Sequence, residues 1–117
     1  MLQFEELRLE LLSYEDKLKD LAEALGLQKM KDEVAELEAE SAKDGFWDDI
    51  QRSQKITQHM AALKNKIKAY DDLCGVFDDT LTLIELANEE EDESLFDECR
   101  EGVDGFIVAL DAMTLST

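Results

Sequence analysis

The sequence predicts an all-α chain, an elongated bundle of about four helices organised around a long antiparallel, coiled-coil-like helical hairpin. Three observations predict it. None of the 117 residues is proline and only five are glycine. Leu, Ala, Glu, Asp and Lys dominate, and apart from Asp these side chains lose little rotamer freedom in a helix. Apolar residues recur at alternating steps of three and four, the a/d pattern of a helix seam.

The first predicted helix covers residues 2–25, with a seam of Phe4, Leu7, Leu11, Tyr14, Leu18, Leu21 and Leu25. Leu9, Leu12 and Ala22 widen that stripe, so this helix is expected to meet more than one neighbour. Gly26 follows the last seam residue and can take the left-handed conformation that ends a helix. A second, shorter helix is predicted over 28–42, burying Met30, Val34 and Leu37 and wetting Lys29, Lys31, Asp32, Glu33, Glu36 and Glu38.

The pattern breaks at Ser41-Ala42-Lys43-Asp44-Gly45-Phe46-Trp47-Asp48-Asp49. Gly45 permits a turn. Phe46 and Trp47 precede Asp48, an expected N-cap, and are read chiefly as packing at a helix corner, with an exposed hot spot as the competing role. The longest predicted helix follows over 48–87, with a seam of Ile56, Met60, Leu63, Ile67, Tyr70, Cys74, Phe77, Leu81 and Ile84. At 1.5 Å per residue it would extend about 60 Å, which is the reason to expect an elongated shape. Gly75 interrupts it and marks the expected point of bending or fraying.

An acidic turn, Asn88 to Glu93, leads to a fourth helix over 94–114 with a seam of Phe96, Cys99, Val103, Phe106, Leu110 and Met113. A short turn makes the last two helices antiparallel, and the first two are expected to fold back along them. Gly102 and Gly105 weaken the fourth helix and can admit a close neighbour. The end, Met113 to Thr117, carries no charge and no terminating glycine, so the chain is expected to continue. The whole of 1–117 is read as a single helical domain.

Twelve basic residues against 30 acidic ones give a net charge of −18. Nucleic-acid binding depends mainly on Lys and Arg neutralising phosphates, so a broad grip on RNA or DNA is not expected and a basic protein partner is. No apolar run approaches the roughly 20 residues that span a membrane, and Met1 to Tyr14 is too acidic for a signal peptide. Cys74 and Cys99 sit within apolar patterns and read as small core residues of a reducing compartment.

No catalytic constellation emerges. His59 is the only histidine and has no second ligand at metal-binding spacing, so it reads as a solvated surface side chain. The acidic turn lacks the glycine that a calcium loop places sixth, where Glu93 stands instead. No phosphate-cradling glycine motif occurs. An enzyme, a cofactor and a metal are therefore not expected. The interaction candidates are Phe46, Trp47 and Asp48 at the corner, and Glu89, Glu90, Glu91 and Asp92 in the acidic turn.

The order of elements resembles the N-terminal domain of the bacterial class-one peptide chain release factors. The resemblance rests on Ala24-Leu25-Gly26-Leu27, on Asp44-Gly45-Phe46-Trp47-Asp48-Asp49 followed by Gln51, Arg52, Ser53 and Gln54, and on Leu83-Ile84-Glu85-Leu86-Ala87 before the acidic turn. It covers essentially the whole chain, and the Phe-Trp element leans towards the release factor 2 branch. Many members carry a Leu-Asp pair where this chain has Leu25-Gly26. The resemblance implies a cytoplasmic translation termination factor that reads UGA and UAA in the mRNA and promotes peptidyl-tRNA hydrolysis on the ribosome. It implies contact with rRNA elsewhere in the full-length factor, and modification there by a release-factor glutamine methyltransferase. The codon-reading Ser-Pro-Phe and the catalytic Gly-Gly-Gln motifs are absent, because the chain has no proline and no adjacent glycines. For these residues the resemblance implies a domain that docks near the ribosomal stalk base on a ribosomal protein, and the acidic charge makes a basic one the expected partner. A free-standing acidic coiled-coil adaptor or chaperone is the alternative.

Overall fold

The computed structural model describes residues 1–117 and contains helices and turns with no strand. Five α-helices follow one another: α1 (Leu2–Leu12), α2 (Glu15–Leu25), α3 (Leu27–Ser41), α4 (Ile50–Glu89) and α5 (Phe96–Leu115). Short 3₁₀ turns at Phe46–Asp48 and Glu93–Leu95 precede α4 and α5.

The first predicted helix is thus two. At Ser13 the backbone N–H is shared between the carbonyls of Leu9 and Glu10, and the Tyr14 N–H donates to Leu11 three residues back. The Ser13 hydroxyl also donates to the Glu10 carbonyl at 2.5 Å. A serine side chain that competes for main-chain acceptors tightens the turn and breaks the ladder. The apolar stripe survives the break, with Phe4, Leu7, Leu11, Leu18 and Leu21 all buried.

The chain resolves into two compact units, one made of Met1–Leu25 with Asp71–Thr117, the other of Gly26–Tyr70. In the first unit α5 lies antiparallel to the 71–89 part of α4. Phe77 meets Phe106 edge-on at 5.4 Å. Thr80 faces Gly102, where an added Cβ would sit 3.0 Å from the threonine methyl. α1 runs parallel to α5, with Phe4 on Phe96 at 5.7 Å and the Glu10 carboxylate accepting from the Arg100 guanidinium. Glu10 and Asp104 together push the Arg100 pKa further up.

The buried row on α4 differs from the predicted seam. Leu73, Phe77, Thr80, Ile84 and Ala87 are buried, whereas Cys74 and Leu81 are only half-buried. Thr80 can occupy a core position because Gly102 opposite it has no side chain. Gly105 has open space around it, so of the two glycines only Gly102 serves a close approach. Gly75 does not fray α4, which is continuous from Ile50 to Glu89.

In the second unit α3 and the 50–70 part of α4 bury Met30, Phe46, Ser53, Leu63 and Tyr70. Val34, Leu37, Ile56, Met60 and Ile67 are half-buried. This thin apolar layer is flanked by ion pairs between the helices, Glu40–Arg52 at 2.6 Å and Glu38–Lys64 at 2.9 Å. Gly26, at φ 67°, lies between α2 and α3 and takes the left-handed conformation expected of it.

Candidate interaction surfaces

The corner before α4 is built by Gly45, whose φ of 79° suits glycine. Phe46 then turns inward and is buried, whereas Trp47 is 62% exposed. Side chains advance by about 120° per residue in a 3₁₀ turn, so burying the first throws the second outward. The Trp47 ring meets Phe46 edge-on at 5.1 Å and 87° and lines an open recess with Gln54, Thr57 and Gln58. The expectation that both aromatics pack is therefore corrected: Phe46 is core and Trp47 is surface, next to the exposed Ile50. The helix cap is also one residue later than expected, since Asp49 accepts from the Arg52 backbone N–H at 3.1 Å. Asp48 lies within the 3₁₀ turn.

Glu40 holds this corner together. It pairs with Lys43 at 2.8 Å and with Arg52 at 2.6 Å, and those two cations keep its carboxyl below the usual range. Trp47→Ala should consequently cost less than about 1 kcal/mol, because little area returns to water, while Phe46→Ala costs about 3–5 kcal/mol. Urea unfolding followed by far-UV circular dichroism separates the two. Equal losses would mean that the indole packs after all.

The acidic turn is more ordered than a charge run suggests. The Asp92 N–H donates to the Ala87 carbonyl at 3.0 Å and the Glu91 N–H to Asn88 at 3.1 Å. Glu91 has φ 52°. This is a Schellman closure of α4, with glutamate where glycine is usual. Asp92 then caps the following turn, accepting from the Ser94 N–H at 3.0 Å and from its hydroxyl at 2.5 Å. Glu89, Glu90 and Glu91 are exposed and Asp92 is half-buried. Glu91→Gly should stabilise the chain by about 1 kcal/mol by relieving the left-handed conformation. A melting temperature that falls would show that the Glu91 side chain compensates for its backbone.

His59 has a partner that periodicity does not reveal, its Nε2 lying 2.7 Å from Glu33 Oε1. Both cysteines are free thiols, Cys99 buried and Cys74 half-buried, and burial pushes the Cys99 thiol pKa up. No group of three or more His, Cys, Asp or Glu side chains is placed to hold a metal ion. No helix is long and apolar enough to cross a membrane.

Charge divides unevenly between the units. The first unit holds 22 acidic and 4 basic residues, the second 8 of each. The whole net charge of −18 therefore belongs to the first unit, and the second is neutral. The Phe46–Trp47–Asp48 corner lies in the neutral unit and Glu89–Asp92 in the acidic one. The net charge that makes a broad grip on RNA or DNA unexpected thus belongs to the first unit.

Residues 30–116 match the family model of the PCRF domain. Among curated proteins, a peptide chain release factor 2 of Streptomyces avermitilis is 32% identical over 108 residues, 92% of this chain and 29% of its own length. One of Corynebacterium glutamicum strain R is 31% identical over 91% of this chain and 29% of its own length. One of Clostridium perfringens strain SM101 is 35% identical over 68% of this chain and 22% of its own length. The chain thus spans less than a third of the length of these relatives. No solved structure matches it significantly.

Proposed function

The chain belongs to the PCRF-domain family and resembles the N-terminal part of bacterial release factor 2, and from that premise we propose that it is a non-catalytic docking module of a translation termination factor. In this reading the full-length factor works in the cytoplasm, recognises UGA and UAA stop codons and promotes peptidyl-tRNA hydrolysis through segments outside these residues. The module engages a basic ribosomal protein near the stalk base. The observation that carries the reading is the concentration of the whole net charge of −18 on one compact unit. A field of one sign accelerates encounter with a basic surface and weakens as salt rises, the screening length being about 8 Å at physiological ionic strength.

Neutralising the acidic turn, with Glu89, Glu90 and Glu91 changed to Gln and Asp92 to Asn, should slow association of the chain with ribosomes by about threefold at low salt. Dissociation should change little, and peptide release by the chain should stay at background. Stopped-flow association at two salt concentrations reads the effect. An association rate that does not change, or measurable peptide release by the chain alone, would overturn this reading.

A further inference from the structure

We propose that residues 50–70 of α4 present a face that docks on the phosphate backbone of structured RNA, with Lys55 and Lys66 as its phosphate contacts. The proposal rests on the ribosomal reading above, which supplies RNA as the occupant.

Acidic residues make up 30 of the 117, yet none occurs between Ile50 and Tyr70. That segment carries Arg52, Lys55, Lys64, Lys66 and Lys68. Elsewhere some cations pair within their own helix, as in Arg8–Glu5, Lys19–Glu15 and Arg100–Asp104, while Lys17, Lys29 and Lys31 make no ion pair. Here Arg52 and Lys64 borrow Glu40 and Glu38 from α3, and Lys55 and Lys66 have no ion-pair partner. The last two are eleven residues apart, three turns, so they share a face about 16 Å long.

Between them on the same side lie His59 and Ala62, with Gln58 at the edge, all exposed. Such a face offers an amide donor and a small side chain that lets a backbone approach, with the Glu33 carboxylate of α3 held beside it by His59. Part of this exclusion of acid from 21 consecutive positions serves α3, whose Glu33, Glu38 and Glu40 reach His59, Lys64 and Arg52. It leaves Lys55 and Lys66 exposed and unpaired. Charge complementarity selects a polyanion, and the exposed large apolar residues next to this face, Trp47 and Ile50, lie at its N-terminal end. Asp44, Asp48 and Asp49 lie just before this segment and bound the face at its N-terminal end.

The test uses the whole 117-residue chain and ribosomes. Lys55→Glu with Lys66→Glu should weaken binding about tenfold and reduce the slope of log affinity against log salt by about 2. Lys17→Glu with Lys19→Glu makes the same change of charge on the acidic unit and should neither weaken binding nor reduce the slope, since it strengthens the field that faces a basic protein. A photo-crosslinking residue at Gln58 should join to rRNA, and one at Glu90 to a ribosomal protein. If the chain binds but the Lys55/Lys66 variant matches the Lys17/Lys19 variant, or Gln58 crosslinks to protein alone, the RNA face is wrong while ribosome docking stands. If the unaltered chain does not bind ribosomes at all, both fall.

Discussion

Phe106→Ala should lower the stability of the chain by about 3–5 kcal/mol, the range for emptying a fully buried aromatic site. Phe106 is wholly buried, as are Phe4, Cys99 and Val103 in the same unit. It meets Phe77 edge-on at 5.4 Å and 62°, so truncation removes a favourable ring contact as well as apolar burial. Three helical segments converge on this core, and none can collapse into the cavity without disturbing the others. Since domains of this size are stable by about 5–15 kcal/mol, the loss approaches the whole margin. Urea unfolding followed by far-UV circular dichroism measures it. The single tryptophan, Trp47, lies in the second unit, so its fluorescence reports whether that unit unfolds with the first or apart from it. A loss below about 1 kcal/mol would mean that the site is poorly packed.

Gly102→Val should destabilise the chain by about 1–3 kcal/mol through overpacking. An added Cβ would stand 3.0 Å from Thr80 Cγ2 and 3.2 Å from its Oγ1. Valine adds two further carbons against a buried threonine on a helix that is itself packed. Thr80→Ala removes both offending atoms, so the double variant should recover about 1 kcal/mol or more relative to additivity. Gly105→Val supplies the control. Nothing lies within 4 Å of its Cβ position, and removing glycine from a helix interior should leave stability equal or slightly higher. Thermal melts of the four variants read the comparison. Similar behaviour of the two valine variants would show that the α4–α5 approach at Thr80 is looser than described.

Much of the fold was legible in the residues themselves. Absence of proline, the choice of helix formers and the steps of three and four determine that the chain is all helix. They also place α3, α4 and α5 to within two residues, because those signals are local. Gly26 and Gly45 announced turns for the same reason, and both adopt left-handed conformations. Ser13, by contrast, lies inside an unbroken apolar stripe. Its break depends on a hydroxyl competing for the Glu10 carbonyl, which no periodicity records. Phe46 and Trp47 are adjacent and alike in composition, and only the 3₁₀ turn decides that one is core and the other surface.

The row of α4 that faces inward was also decided by packing. Thr80 enters the core because Gly102 leaves room for it, a pairing of residues 22 positions apart. The partition of charge is the furthest from local reading. The acidic unit joins residues 1–25 to residues 71–117, so no single window of sequence contains it. The neutral unit, residues 26–70, and its acid-free stretch 50–70 are single windows of sequence. Tertiary contacts add that the two acidic flanks belong together, whereas a sum over the whole chain averages a strongly acidic unit with a net-neutral one.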